Sequence, residues 1–229
     1  MDAKATTGAI RRSIYPFLKT VGGFTKAKGR NAWRFDEHTT SVANFRSFSP
    51  SLADGVGCTT FSFAINLGVF LRLGPFHSAG RPEDSLPHEA DCPIRIRLTK
   101  SLRQPRFIPY ASLGETAVTD VPDVFYVAAD ASNLEDVVHD ARVALEKRGL
   151  PLFERFRDLA FTYRFLLHGD SALSSAELTH DAFRVERSGL SAPLCNAIAC
   201  LGRILGVADP QLDLESSPAF PFLKQRARL

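Results

Sequence analysis

From Thr59 to Arg72 the chain reads TTFSFAINLGVFLR. Phe61, Phe63, Ile65, Leu67, Val69 and Leu71 fall on one side of a period-two pattern, and Thr60, Ser62, Ala64, Asn66, Gly68 and Arg72 mostly on the other. Successive side chains of a strand point to opposite faces, so this run predicts a long strand with one face on a core. The opposite face is small and polar, and either water or a ligand lies over it.

Working outward, Trp33 and Phe35 mark a strand, and Val42 to Phe48 a second, with Asp36 to Ser41 as the turn between them. Ile94 to Thr99 alternates Ile94, Ile96 and Leu98 with Arg95 and Arg97, and Val124 to Ala128 reads as a short fifth strand. Pro50 to Gly57 reads as a loop. Gly74 to Pro93, rich in Pro, Gly and acidic residues, is too long for a tight hairpin.

Helical stripes flank the strands. Ile10, Ile14, Phe17, Leu18 and Val21 predict an N-terminal amphipathic helix, kinked or restarted at Pro16 and ended by Gly22-Gly23. Ser132 and Glu135 fit a capping box ahead of the stripe Leu134, Val137, Val138, Ala141 and Leu145, with Gly149 as the stop. A new helix begins at Pro151 and carries Leu152, Phe153, Phe156 and Leu159. Beyond about residue 165 the pattern is wholly helical, with one helix starting at Ser174 and Glu177. Another is striped by Leu194, Ala197, Ile198, Leu201 and Leu205 and ends at Gly206; Pro218 to Leu229 forms a tail.

Grouped strands with segregated helices predict an α+β fold: an antiparallel sheet of about five strands, the N-terminal helix, and C-terminal helices packed on one face. Residues 1–165 form the α+β domain and residues 166–229 a helical extension on it.

A chain of 229 residues, 45% hydrophobic and 23% charged, is long enough to bury a substantial core. Its net charge of +3 is too small to argue for nucleic acid. The first 50 residues hold nine Lys/Arg against three Asp/Glu, a local balance of +6 that leaves −3 for the remainder. That asymmetry suits either an anionic partner or an ordinary solvated surface. Arg11, Arg12 and Lys19 interrupt the apolar residues that a secretion signal needs, and no run is long enough to span a bilayer. The expected location is the cytoplasm, with no membrane partner. Cys58, Cys92, Cys195 and Cys200 include no Cys-x-x-Cys pair, which predicts reduced, packed thiols.

Several local motifs occur together. A helix with a proline leads through Gly23-Phe24 and nearby lysines to the Trp33 strand. Asn66-Leu67-Gly68-Val69 then lies in the long strand, Asp91-Cys92 precedes Arg95-Ile96-Arg97-Leu98, and Gly149-Leu150-Pro151-Leu152-Phe153 follows a helix. In this order they resemble a bacterial family catalogued as domain of unknown function forty-three oh four, over roughly the first 160 residues. That family has no activity to transfer, so the resemblance implies no catalytic residue. The long loop between Gly74 and Pro93 departs from its pattern.

The sharpest candidate site is the polar face opposite the phenylalanines. If neighbouring strands pair in order, Asn44 and Arg46 lie beside Asn66 and Arg72, and Arg95 and Arg97 join them. Guanidinium forks and amides on a rigid sheet suit a phosphate or carboxylate ligand. The competing reading is a solvated face with ordinary cross-strand charges, and a one-residue slip would dissolve the cluster.

Trp33 with Phe24, Phe35 and Phe45 would offer a stacking platform for single-stranded nucleic acid, but no nucleic-acid-binding motif supports it. His77, His88, Glu89, Asp91 and Cys92 are capable metal ligands without a recognised ligand spacing, so neither a metal nor a cofactor is expected. His139 and His168 read as surface or capping residues. Nucleophile elbows, His-Glu-x-x-His and phosphate-loop motifs are absent; Gly22 to Arg30 lacks the Gly-Lys-Ser/Thr ending and a preceding strand.

The sequence therefore favours a non-enzymatic binding or interaction protein, with a protein partner or a small anionic ligand on the polar face or its covering loop. The alternative is an enzyme acting on an anionic small molecule, with Arg46, Arg95 and Arg97 gripping the anion and His88 or Glu89 as acid or base. A concave pocket would favour the enzyme, and a flat or self-filled face the binding protein.

Overall fold

The long alternating run becomes the fourth strand of an antiparallel meander. The structure, a computed structural model, describes residues 3–72, 86–98, 124–168, 183–187 and 192–207. Among these, β1 (Lys26–Lys28), β2 (Asn31–Phe35), β3 (Thr39–Ser47), β4 (Phe63–Leu71), β5 (Ile94–Leu98) and β6 (Phe183–Arg187) lie side by side in chain order, every neighbouring pair antiparallel. The helices are α1 (Ala3–Thr20), α2 (Pro50–Val56), α3 (Leu134–Ala144), α4 (Leu150–Arg155), α5 (Leu159–His168) and α6 (Ala192–Ile204). Most of the Gly74–Pro93 loop including His77, the expected Ser174 helix start and the C-terminal tail lie outside the described residues.

One face of the sheet builds the core. Phe45 of β3, Phe63, Ile65, Leu67, Val69 and Leu71 of β4, and Ile94, Ile96 and Leu98 of β5 are buried there. Against them pack Ile10, Ile14, Phe17 and Leu18 of α1, Val138 and Ala141 of α3, Phe153 of α4, Phe165 of α5 and Ile198 of α6. The α+β architecture, with helices gathered on one sheet face, follows from this one-sided apolar alternation.

α1 runs unbroken through Pro16 instead of restarting there, because its stripe meets the core on both sides of the proline. Gly23 at φ 69° then turns the chain, and the Phe24 N–H donates back to the Leu18 carbonyl at 3.0 Å. Pro50 to Val56, expected as loop, is helix α2: Ser49 Oγ accepts the Leu52 N–H at 3.4 Å, and Pro50 occupies the first turn.

Three further expectations are corrected. Val124 to Ala128 forms only a single bridge, Phe63 to Phe125, where β5 has ended, and hydroxyls hold it: the Val127 N–H donates to Ser62 Oγ at 3.0 Å, and Thr59 Oγ1 donates to the Val127 carbonyl at 2.6 Å. The Ser132–Glu135 capping box does not form; the Ser132 N–H is taken by Asp130, and Glu135 pairs with Arg12 at 3.0 Å. Gly149 does not stop the helix. The chain winds from α3 through a π turn, Leu145–Gly149, straight into α4, and a Cβ at Gly149 would stand 3.1 Å from Leu67 Cδ1. This glycine serves close approach of helix to sheet.

The region beyond residue 165 is not wholly helical, since β6 extends the sheet next to β5. No helix among the described residues is long and apolar enough to cross a membrane.

Candidate functional site

Strand register decides which polar residues meet. Asn31, Asn44, Asn66 and Arg97 are successive partners across β2, β3, β4 and β5, and Lys28 of β1 precedes Asn31 in the same row. The next row runs Lys26, Trp33, Val42, Gly68 and Arg95. Arg46 stands opposite Ala64, one row to the other side. All lie on the face opposite the core. Of the residues expected to cluster, Asn44, Arg46, Asn66, Arg95 and Arg97 are thus neighbours on one face. Arg72 is held apart: its guanidinium donates to the Asp36 carbonyl at 3.0 Å, at the β2–β3 turn.

The row is linked by amides. Asn44 Nδ2 donates to Asn31 Oδ1 at 2.8 Å, while Asn66 Nδ2 lies 3.5 Å from both Asn44 Oδ1 and Glu89 Oε1. Asn44 and Asn66 are buried, whereas Lys26, Lys28, Arg46 and Arg95 are exposed. Buried amides therefore sit inside a rim of cations.

What buries the amides is the segment Leu86–Cys92, which straps across the middle of the face. Trp33 Nε1 donates to the Pro87 carbonyl at 2.7 Å, and Trp33, Val42 and Cys92 form a small second core, with Phe70 and Leu86 packed on it. A short 3-10 turn, Glu89–Asp91, is capped by Asp91 Oδ2 accepting the His88 N–H at 2.8 Å. Gly68 has no side chain because this turn occupies its space.

The strap carries the titratable groups. Glu89 is mostly buried, and its Oε2 lies 2.5 Å from His88 Nδ1 without a directed hydrogen bond between them. His88 Nδ1 accepts the Ala90 N–H, with 3.4 Å between the nitrogens, which caps the turn. Burial pushes the Cys92 thiol well up, and Asp91 and Glu89 add to that shift. Cys92 is therefore a neutral packed thiol whose S–H donates to the His88 carbonyl at 3.4 Å.

The aromatic platform does not form. Trp33, Phe24 and Phe45 are buried, and only Phe35 of the four is exposed. His139 is on the surface.

A second charged cluster lies at the β2–β3 turn, beside a cleft of about 280 Å³ lined by Asp36, Glu37, His38, Thr39, Arg157 and Leu159. Buried Arg34 meets Glu154 Oε1 at 2.5 Å and Asp36 Oδ2 at 3.3 Å, and Arg157 meets Asp36 at 3.1 Å and Glu154 at 2.8 Å. These charges pair with one another and fasten α4 to the sheet, while Arg34 Nε and Asp36 Oδ2 face each other without a directed hydrogen bond.

Sequence reasoning named the covering loop with His88 and Glu89 but missed Asn31 and the lysines of β1. Asn31 was detectable, since it alternates in phase with Trp33. No family model, curated protein or solved structure matches the chain.

Proposed function

We propose that this chain acts in the cytoplasm as a non-enzymatic binding protein that takes an extended acidic segment of a protein partner across the second face of its sheet. The observation that carries the reading is the row Lys28, Asn31, Asn44, Asn66, Arg97, with Arg46 and Arg95 beside it. Four strand spacings separate β1 from β5, about 19 Å at ~4.8 Å each. A single phosphate is too small to reach both ends, whereas an extended segment with several carboxylates reaches the cations on either side of the strap. A single-stranded nucleic acid would also span it, but Trp33 is buried and hydrogen-bonded to Pro87, which leaves Phe35 as the one exposed ring of the expected platform. The resemblance noted above carries no activity and adds nothing to the choice.

The enzyme reading draws on the His88–Glu89 contact. Against it, the Glu89–Cys92 turn fills the space over Gly68, which makes the centre of the face self-filled.

The test is thermal stabilisation by a short poly-glutamate peptide. The peptide should raise the melting temperature of the wild type. Arg95→Ala with Arg97→Ala should abolish that rise. An equal loss of unliganded stability would mark the arginines as structural, and an equal response to inorganic pyrophosphate or oligothymidine would replace the acidic segment with another anion.

A further inference from the structure

We infer that Glu89 is a built-in occupant of this surface, a carboxylate parked over Asn66 that an acidic partner must displace. The inference rests on the binding reading above and adds how the surface is regulated.

The strap is fastened by groups other than the Glu89 carboxylate. Pro87 is tied to Trp33 through its carbonyl, Asp91 caps the His88 N–H, and the Cys92 side chain packs beneath the turn in the gap left by Gly68. The Glu89 carboxylate itself makes few directed hydrogen bonds. Its Oε1 accepts from Asn66 Nδ2 at 3.5 Å, the long limit for such a bond, and the same nitrogen donates to Asn44 Oδ1 at 3.5 Å. Its Oε2 is buried, touches His88 Nδ1 at 2.5 Å and makes no well-directed hydrogen bond.

A mostly buried carboxylate wants several donors and here finds few, which makes its seat costly to keep. It nevertheless presents the same chemistry, a carboxylate against an amide, that the surface would present to an acidic residue from outside. An incoming carboxylate that bonds Asn66 at normal length would replace it, and the Glu89 side chain would swing out to water without unfastening the backbone. Glu89 thereby sets a threshold: weakly acidic segments fail to displace it, and strongly acidic ones succeed.

The experiment titrates the poly-glutamate peptide into wild type, Glu89→Gln and Glu89→Asp, following the Asn66 side-chain amide by NMR. Glu89→Gln should bind roughly tenfold tighter, the scale of one charge-assisted hydrogen bond. Glu89→Asp keeps the charge but withdraws it from Asn66, so it too should gain affinity. In the wild type, peptide should move the Asn66 amide signals. If Glu89→Gln gains and Glu89→Asp does not, removal of charge alone explains the gain and displacement is wrong. Peptide binding that leaves the Asn66 signals in place would overturn it as well. If no variant binds the peptide, it is the binding reading itself that fails.

Discussion

The sulfur of Cys92 lies 2.5 Å from the point where a Cβ on Gly68 would stand, and the Cα of Glu89 lies 3.1 Å from that point. The Cys92 side chain fills the space that Gly68 leaves, so strand and strap meet at close quarters. Gly68→Ala must therefore push the strap off the sheet, since Cys92 is short and fully buried and cannot swing aside. We expect a loss of about 1–3 kcal/mol, the usual range for overpacking, read as a lower urea midpoint. Cys92→Ala combined with Gly68→Ala should lose less than the sum of the single variants. Strict additivity would show that the two residues do not meet.

Phe63 is fully buried, stacks on Phe125 at 5.3 Å between ring centres, and carries the bridge that holds the Val124–Ala128 segment. Phe63→Ala should cost about 3–5 kcal/mol in denaturation experiments. A cost below about 1 kcal/mol would mean that this end of β4 is not packed as described.

Acid should loosen the attachment of α4. Burial alone pushes the Glu154 carboxyl up, but the hydrogen bond from Arg157 and the charge of Arg34 outweigh it and hold Glu154 below its ordinary value of 4.5. A carboxyl with a depressed folded pKa adds stability above its unfolded pKa and loses it as the pH falls through the folded one. Stability should therefore decline below about pH 4.5, and Glu154→Gln should flatten that part of the profile. Because Glu154 is half exposed, its share is modest, and an unchanged profile in the variant would remove it from the account.

At the alkaline end Tyr15 takes over. Burial pushes its hydroxyl up from 10.0 to about 12, although Arg11 and Arg30 pull it down, and the hydroxyl donates to the Gly29 carbonyl at 3.1 Å. The unfolded chain releases this proton first, so stability should be lost as the pH rises from 10.0 towards 12. Tyr15→Phe should be less stable at neutral pH, through the lost hydrogen bond, yet show a shallower alkaline decline. Tyrosinate absorbance that titrates fully near pH 10.0 in the folded protein would contradict the burial of Tyr15.

Particular residues show how far the chain can be read without its fold. The alternation in β4 and the stripe in α1 were legible because each is a local repeat whose apolar members all reach the same core. Gly149 and Ser132 misled for a common reason: both sit in strong helix-boundary motifs, yet the π turn that ends at Gly149 runs straight into α4 with Gly149 packed against Leu67, and Asp130 takes the Ser132 N–H. β6 was missed because Phe183–Arg187 is only five residues long and its partner, β5, is distant in sequence.

For the candidate surface the division is similar. The amino-acid sequence by itself determined that Asn44 and Arg46 alternate with Phe45, Asn66 with Ile65 and Leu67, and Arg95 and Arg97 with Ile94, Ile96 and Leu98, because side-chain alternation is a property of the extended chain. Only the tertiary structure decided that Asn44, Asn66 and Arg97 stand in one row, that Arg72 does not join them, and that Glu89 is parked on Asn66. Register depends on pairing between distant segments, and a slip of a single residue would send the same side chains to the other face.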